Sequence, residues 1–183
     1  VDVVLVERCE DTLSAHVEAI RRASASADVV LTTGGTAAGP VDHLHAAIAR
    51  CDGEVVVDSV AVRPGHPMLA ATLDRGRSWL VGLPGNPQSA IVTLMSLGAP
   101  ILAGLAGRDA VPELAQVTCS EAVGAPAHED RLVLGRLVDG EFRPGSHLGS
   151  GMLRGLGAAT GFGVLPPGGV GPGDPVRWFP LPL

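Results

Sequence analysis

The stretch Gly82–Ser89 constrains the fold of this chain more than any other segment. It reads Gly-Leu-Pro-Gly-Asn-Pro-Gln-Ser, follows the apolar run Ser78–Val81 and opens a long apolar segment. Two prolines and two glycines within eight residues fix a specific backbone path at a predicted strand-to-helix junction. Such a junction points free backbone N–H groups and a helix N-terminus at a ligand, which is often an anion.

A second glycine-rich loop of the same kind lies upstream. It covers Thr32–Asp42, contains Gly34, Gly35 and Gly39, and follows the apolar run Ala27–Leu31. Successive N–H groups in such a loop can form a nest for a phosphate. Because α/β sheets bind ligands at the carboxyl ends of parallel strands, the two loops together predict a phosphate- or nucleotide-like ligand.

Strand-like and helix-like segments alternate over residues 1–108 and predict an α/β domain with a largely parallel, three-layer sheet. The pattern indicates strands at Val3–Val6 and Glu54–Val62, and a hairpin turn at Asp74–Gly76. The helix-like run Gln88–Leu105 is apolar on most faces, so we expect it to be buried or to lie in a subunit interface.

The chain changes character after residue 108. Over residues 112–183, short strand candidates alternate with turns rich in glycine and proline, which predicts a small all-β domain. A doubly wound sheet usually begins with a strand, a ligand loop and a helix, whereas here the first predicted strand is followed directly by the helix that starts at Asp11. We therefore expect the first domain to be N-terminally incomplete, as in a fragment of a longer protein.

Composition and charge exclude several functional classes. The formal net charge is −6 and all 13 basic residues are arginines, without a basic stripe, so a nucleic-acid partner is not expected. The apolar run Ala90–Leu105 is too short for a membrane span and contains Gly98 and Pro100, so no membrane partner is expected. Three widely spaced cysteines fit reduced core thiols of a cytoplasmic protein.

In this order, the motifs resemble the C-terminal half of the molybdopterin molybdenumtransferases, the MoeA and gephyrin E-domain family. That family carries an (S/T)-G-G-x-S-x-G-x-x-D loop, a K-P-G-K-P loop and a G-L-P-G-N-P-x-S loop, followed by a small β domain. The matching stretches here are Thr33–Asp42, Arg63–Pro67 and Gly82–Ser89. The resemblance extends from Val3 to Pro182, and its last loop motif is highly specific.

The resemblance implies a molybdopterin-binding-like α/β domain and a role in molybdenum cofactor biosynthesis. Family members insert molybdenum from molybdate into adenylated molybdopterin and release AMP, with a divalent cation such as Mg²⁺. Asp11 and Asp42 fall on acidic positions of the family site and are the expected catalytic residues, with Asp42 as the Mg²⁺ ligand. A homodimer is implied as well.

The same resemblance implies a set of substrate-binding residues. Arg63 and His66 stand at the two lysine positions of the K-P-G-K-P loop, where they can donate to molybdate or phosphate oxygens. The complete set lies in the three loops and the β domain: Thr33, Gly34, Gly35, Thr36, Gly39, Arg63, Gly65, His66, Pro84, Gly85, Asn86, Pro87, Ser89 and Ser150.

Departures from the family pattern keep a second hypothesis open. Ala37 replaces a family serine, Pro40 replaces an acidic residue, and His66 replaces a lysine with a group whose charge depends on pH. In the β domain, Arg154 and Gly155 replace a small hydroxyl pair. These changes favour a non-catalytic homologue that binds a molybdopterin-like ligand or acts as a scaffold. A third hypothesis, another nucleotide-dependent enzyme, does not account for the Gly82–Ser89 motif.

Some candidate residues also have a purely structural interpretation. Asp11 or Thr12 can cap the helix that follows, and Asp42 can cap the next one. His43 and His45 are two positions apart on a predicted helix and hence on different faces, so we interpret them as surface or packing residues.

Overall fold

The structure is a computed structural model that describes residues 1–36, 43–109, 113–146 and 153–182. The chain forms two compact units. The first comprises Val1–Val60 and Pro67–Val111, and the second comprises Ala61–His66 and Pro112–Leu183. The short segment Ala61–His66 therefore leaves the sequence of the first unit and belongs to the second.

The helices and strands follow one another along both units. In chain order they are α1 (Leu13–Ser24), β1 (Val29–Thr33), α2 (Leu44–Arg50), β2 (Glu54–Asp58), β3 (Val62–Arg63), β4 (Leu69–Leu73), β5 (Ser78–Leu83), α3 (Pro87–Thr93), α4 (Ala99–Leu105), β6 (Ala115–Cys119), β7 (Asp130–Val138), β8 (Glu141–Pro144), β9 (Gly161–Leu165) and β10 (Pro175–Pro180). A 3₁₀ turn covers Asp74–Gly76, a π-helical segment covers Leu94–Gly98, and a 3₁₀ segment covers Leu153–Ala158.

The sheet of the first unit is mixed, in the order β1-β5-β4-β2. β1 and β5 are parallel, whereas β5 with β4 and β4 with β2 are antiparallel. The α/β class is thus confirmed, but the expectation of a largely parallel three-layer sheet is wrong. The predicted hairpin at Asp74–Gly76 explains why, since parallel neighbours need a crossover of about a dozen residues or more.

Two predicted strands of the first unit are wrong. Glu54–Val62 is not one strand, because Ser59 adopts a positive φ of 66° and the chain then passes to the second unit, where Val62 lies in β3. Val3–Val6 has the apolar character of a strand but pairs with none of the described strands, and its side chains are exposed. A strand without a partner leaves its backbone groups to water, so sequence pattern alone does not form one.

The core of the first unit lies between α1, α2 and one face of the sheet. Leu80 of β5 belongs to this cluster, while the next residue, Val81, points to the opposite face and is also fully buried. The buried members of the cluster are Val17, Ile20, Val30, Leu44, Ala47, Ile48, Cys51, Leu69, Ala71, Leu73 and Leu80.

The helical stretch Pro87–Leu105 is continuous over 19 residues with a mean hydropathy of 1.5. Among the described residues it is the one helix long and apolar enough to cross a membrane. The sequence argument that this segment is too short for a membrane span was therefore wrong. This is weak evidence for a membrane span, because core helices of globular proteins share these properties. Its π-helical segment Leu94–Gly98 precedes Pro100, which lacks the N–H that an α-helix needs at that point.

The second unit is a small β-barrel. Strands β7, β8, β6, β10 and β9 pair in this order, and β9 pairs back with β7 to close the ring. The short strand β3 joins it by pairing in parallel with β7. The turn between β7 and β8 has positive φ angles at both Asp139 and Gly140, as a tight hairpin requires.

The barrel interior makes room for one large ring. Phe142 of β8 is fully buried, and its ring centroid lies 5.8 Å from that of Trp178. A Cβ atom on Gly163 of β9 would lie 2.5 Å from Cε1 of Phe142, and one on Gly135 of β7 would lie 2.5 Å from Cε2. Glycine is therefore required beside this ring on both β7 and β9.

We predict that Gly163→Ala destabilises the barrel, because the added methyl group overlaps Phe142. Overpacking of this kind costs about 1–3 kcal/mol. Urea unfolding monitored by Trp178 fluorescence, in a Trp79→Phe background, measures the effect. Gly124→Ala is the matched control, since its Cβ would meet no atom within 4 Å. Equal stability of the Gly163→Ala and Gly124→Ala variants would contradict this account of the core.

The cysteines differ in environment. Cys51 and Cys119 are buried, but Cys9 is exposed, so the expectation of three core thiols is wrong for Cys9. Burial is the main reason why the pKa of the Cys51 thiol and the pKa of the Cys119 thiol are raised. Because both buried thiols stay protonated to higher pH, they are poor nucleophiles in the folded protein.

We predict that Ellman's reagent at pH 8 modifies Cys9 rapidly and reaches the other two cysteines only when the protein unfolds. The Cys9→Ser variant should lose the fast phase. Because the pKa of both buried thiols is raised on folding, their contribution to stability is complete below the thiol pKa of the unfolded chain. It is lost as pH rises through the raised values. Fast modification of all three thiols in the native protein would contradict the described burial.

Candidate functional site

Two glycine-rich loops begin side by side in the first unit. β1 and β5 run parallel, with Thr33 opposite Leu83, and both loops leave from the carboxyl ends of these strands. The Gly34 N–H donates to the Leu83 carbonyl oxygen at 2.8 Å. This hydrogen bond ties the start of the first loop to the end of β5, directly before Pro84.

The first loop offers backbone donors. Gly34 and Gly35 have φ angles of 85° and 68°, which residues other than glycine rarely adopt. The Gly34 N–H is used within the protein, so the donors that this loop offers are those of Gly35 and Thr36. Within the described residues, the N–H groups of Gly35 and Thr36 donate to no other group, so they remain available. Thr33, at the end of β1, is exposed.

Gly82 explains how the first loop packs against the second. A Cβ atom at this position would lie 2.9 Å from Cγ2 of Thr36, 3.1 Å from Cδ2 of Leu44 and 3.2 Å from Cβ of Leu69. Thr36 is itself buried. The first glycine of the Gly-Leu-Pro-Gly-Asn-Pro motif is thus needed for close contact between β5 and the loop after β1.

Asn86 caps the long helix. Its Oδ1 accepts hydrogen bonds from the Ser89 N–H at 3.0 Å and from the Ser89 hydroxyl at 3.2 Å, and Pro87 occupies the first helical turn. The Asn86 oxygen and the Ser89 hydroxyl are therefore engaged with each other. The Asn86 NH₂ group donates to none of the described residues and remains for a ligand. Pro84 is buried, while Gly85 and Pro87 are exposed.

Gln88 was missed by the sequence analysis. Its side chain lies in the first turn of α3 with only 5% of the residue exposed, and its Oε1 atom is buried with no partner among the described residues. A buried acceptor without a donor is unfavourable, so this atom favours the approach of a donor from water or a ligand. The G-L-P-G-N-P-x-S motif leaves this position variable. The polar residue at this position was the sequence signal that could have indicated a functional role.

The start of α1 lies near His43. The His16 ring of α1 packs edge-on at 5.8 Å from the ring of His43, which follows that loop and precedes α2. Thr12 caps α1, since its Oγ1 accepts from the Ala15 N–H at 3.3 Å. Asp11, directly before this cap, is exposed.

Three expected site residues lie outside the described parts of the chain: Gly39, Asp42 and Ser150. Across the described ranges, no three His, Cys, Asp or Glu side chains are grouped closely enough to hold a metal ion. His45 lies 3.1 Å from Asp58, and His43 contacts His16, so neither contributes to a metal group. The described residues thus do not form a magnesium site.

The remaining expected donors lie in the second unit. The Arg63 Nε donates to Glu129 Oε2 at 2.5 Å, and His66 Nδ1 lies 3.3 Å from Glu129 Oε1. Gly65 between them has a φ of 117°. Sequence reasoning grouped Arg63 with His66 but missed Glu129, which directly precedes β7.

Comparisons with known proteins agree with the sequence motifs. Residues 1–104, more than half of the chain, match the model of a family described as "probable molybdopterin binding domain". The chain is 32% identical over 168 residues to the molybdopterin molybdenumtransferase of Nostoc sp., covering 87% of this chain and 38% of that protein. For the Haemophilus influenzae molybdopterin molybdenumtransferase the identity is 38% over 86 residues, covering 47% and 20%. The chain thus spans well under half the length of these relatives.

Among solved structures, the fold is similar to that of the molybdopterin biosynthesis MoeA protein from Pyrococcus horikoshii. The TM-score is 0.73 at 23% identity, over 94% of this chain and 42% of that one. A molybdenum cofactor biosynthesis protein from Pyrococcus furiosus gives a TM-score of 0.70 at 18% identity, over 93% and 55%. The resemblance read from the loop motifs is confirmed, and the chain belongs to the family of probable molybdopterin-binding domains.

Proposed function

We propose that this chain acts in molybdenum cofactor biosynthesis as the molybdopterin-binding part of a molybdopterin molybdenumtransferase. The reaction would insert molybdate into adenylated molybdopterin and release AMP. The observation that carries the proposal is the pair of glycine-rich loops that start side by side at the ends of β1 and β5. The relatives named molybdopterin molybdenumtransferase support the proposal, and the chain spans part of their length.

The donors in the first unit suit a pyrophosphate. The N–H groups of Gly35 and Thr36 and the NH₂ group of Asn86 donate to no group in the described part of the chain, and they would donate to phosphate oxygens. The helix that Asn86 caps adds the positive end of its dipole at the same loop. Together these groups would bind the pyrophosphate that links the pterin to AMP.

Cleavage in this proposal is electrostatic. A water oxygen would bond to the phosphorus of the pterin phosphate as the bond to AMP breaks, and the water would give up its proton to solvent. Negative charge grows on the departing AMP phosphate, and fixed N–H donors would stabilise it. Arg63 and His66 would attract molybdate through charge-assisted hydrogen bonds. Asp11 and Asp42 would position the phosphates. The Mg²⁺ implied by the family rests on Asp42 and not on any described ligand group, so no step is assigned to it.

We predict that adenylated molybdopterin binds the wild-type chain and that Asp42→Asn weakens the binding strongly. Calorimetric titration in the presence of Mg²⁺ measures this, and AMP release after addition of molybdate measures turnover. Asp58→Asn is the matched control, since it removes the same charge from an exposed residue of the same unit. Binding without AMP release would favour the non-catalytic homologue, and absence of binding by a folded sample would contradict the proposal.

We predict that two substitutions of Asn86 separate its structural role from its binding role. Asn86→Ala loses the helix cap and should lower stability by about 1 kcal/mol, whereas Asn86→Asp keeps a capping oxygen and should change stability little. Both lose the NH₂ donor, and the aspartate also repels a phosphate. Urea unfolding and calorimetric titration should therefore show a stable Asn86→Asp protein with about tenfold weaker ligand binding. Undiminished binding by Asn86→Asp would show that the amide does not contact the ligand.

A further inference from the structure

Glu129 lies between Arg63 and His66, both of which belong to the second unit. Its Oε2 accepts from Arg63 Nε at 2.5 Å, and its Oε1 lies 3.3 Å from His66 Nδ1, so each carboxylate oxygen serves a different partner. The Glu129 side chain is only 17% exposed, whereas those of Arg63 and His66 are 68% and 54% exposed. The carboxylate therefore lies on the inner side of the pair.

Backbone pairing fixes this arrangement. Glu129 directly precedes β7, and β3 pairs with β7 through Val62 with Asp130 and Arg63 with Arg131. The Asp130 N–H also donates to the Ala61 carbonyl oxygen at 3.0 Å. The loop with Arg63 and His66 and the residue that bridges them are thus held to the same strand of the barrel.

The bridge leaves donors unused. Arg63 uses Nε, so the two terminal nitrogens of its guanidinium have no partner among the described residues. His66 faces Glu129 through Nδ1, which leaves Nε2, a donor in the protonated ring. Planar guanidinium donors and imidazolium N–H groups are suited to oxyanions. Long side chains lose rotational freedom when they bind, and a side chain already held by a carboxylate loses less.

We propose that Glu129 is the positioning residue of an oxyanion site, where it holds Arg63 and His66 together so that their unused nitrogens bind one tetrahedral oxyanion such as molybdate. This inference rests on the molybdate-binding role given to Arg63 and His66 in the proposed function. Glu129 also lowers the net charge of the group by one. A purely electrostatic role therefore predicts tighter oxyanion binding when Glu129 is neutralised, whereas a positioning role predicts weaker binding.

The test is calorimetric titration of the full chain with molybdate alone. Glu129→Gln should weaken binding about tenfold, because the neutral amide cannot accept from both partners at once. Asp130→Asn is the matched control, since it removes the same charge from the adjacent residue, whose carboxylate lies 3.4 Å from Arg177 Nη2. It should change the affinity by less than about twofold, consistent with an exposed pair.

A second measurement does not depend on the stability of a variant. Long-range ¹H–¹⁵N spectra of the wild-type His66 ring should show a proton on Nδ1 hydrogen-bonded to a carboxylate. The Nδ1 resonance should move in Glu129→Gln and not in Asp130→Asn. Absence of this signature in the wild type would overturn the positioning role whether or not molybdate binds.

The outcomes separate the two proposals. Molybdate binding by the wild type with equal or tighter binding by Glu129→Gln would overturn the role of Glu129 and leave the proposed function standing. Failure of the folded wild-type chain to bind molybdate would overturn the molybdate-binding role of Arg63 and His66 and this inference with it.

Discussion

The parallel pairing of β1 with β5 is the constraint on which the candidate site depends. It places the ends of two strands that are distant in sequence next to each other, and the hydrogen bond from Gly34 to Leu83 fixes the start of one loop against the other. Gly82 allows this close approach, because any side chain there would overlap Thr36. The N–H groups of Gly35 and Thr36, which donate to no other described residue, thereby follow the one parallel pair of an otherwise antiparallel sheet.

The donors differ in how they are prepared for a ligand. In the first unit they are backbone N–H groups and one side-chain amide, held by positive φ angles and by a helix cap, so they carry no net charge. In the second unit they are the side chains of Arg63 and His66, which both lie against the carboxylate of Glu129. The two proposed binding roles follow from this difference. The backbone donors of the first unit would bind the pyrophosphate, and Arg63 and His66 would bind the free oxyanion.

The sequence predicted those features that local chemistry determines. The hairpin at Asp74–Gly76 and the series of short strands and turns over residues 112–183 follow from turn residues and alternation over a few positions. The direction of neighbouring strands and the split of Glu54–Val62 depend on distant partners, which alternation does not encode. The contact between Arg63 and Glu129 joins residues 66 positions apart, so no local sequence pattern predicts it.

The most direct test of the central claim is a ¹H–¹⁵N NMR titration of the chain with adenylated molybdopterin. The account predicts that the amides of Gly35 and Thr36 and the side-chain NH₂ of Asn86, the only asparagine in the chain, shift together with one affinity. Shifts confined to the barrel, with these three signals unchanged at saturation, would contradict the claim that the two loops of the first unit form the ligand site.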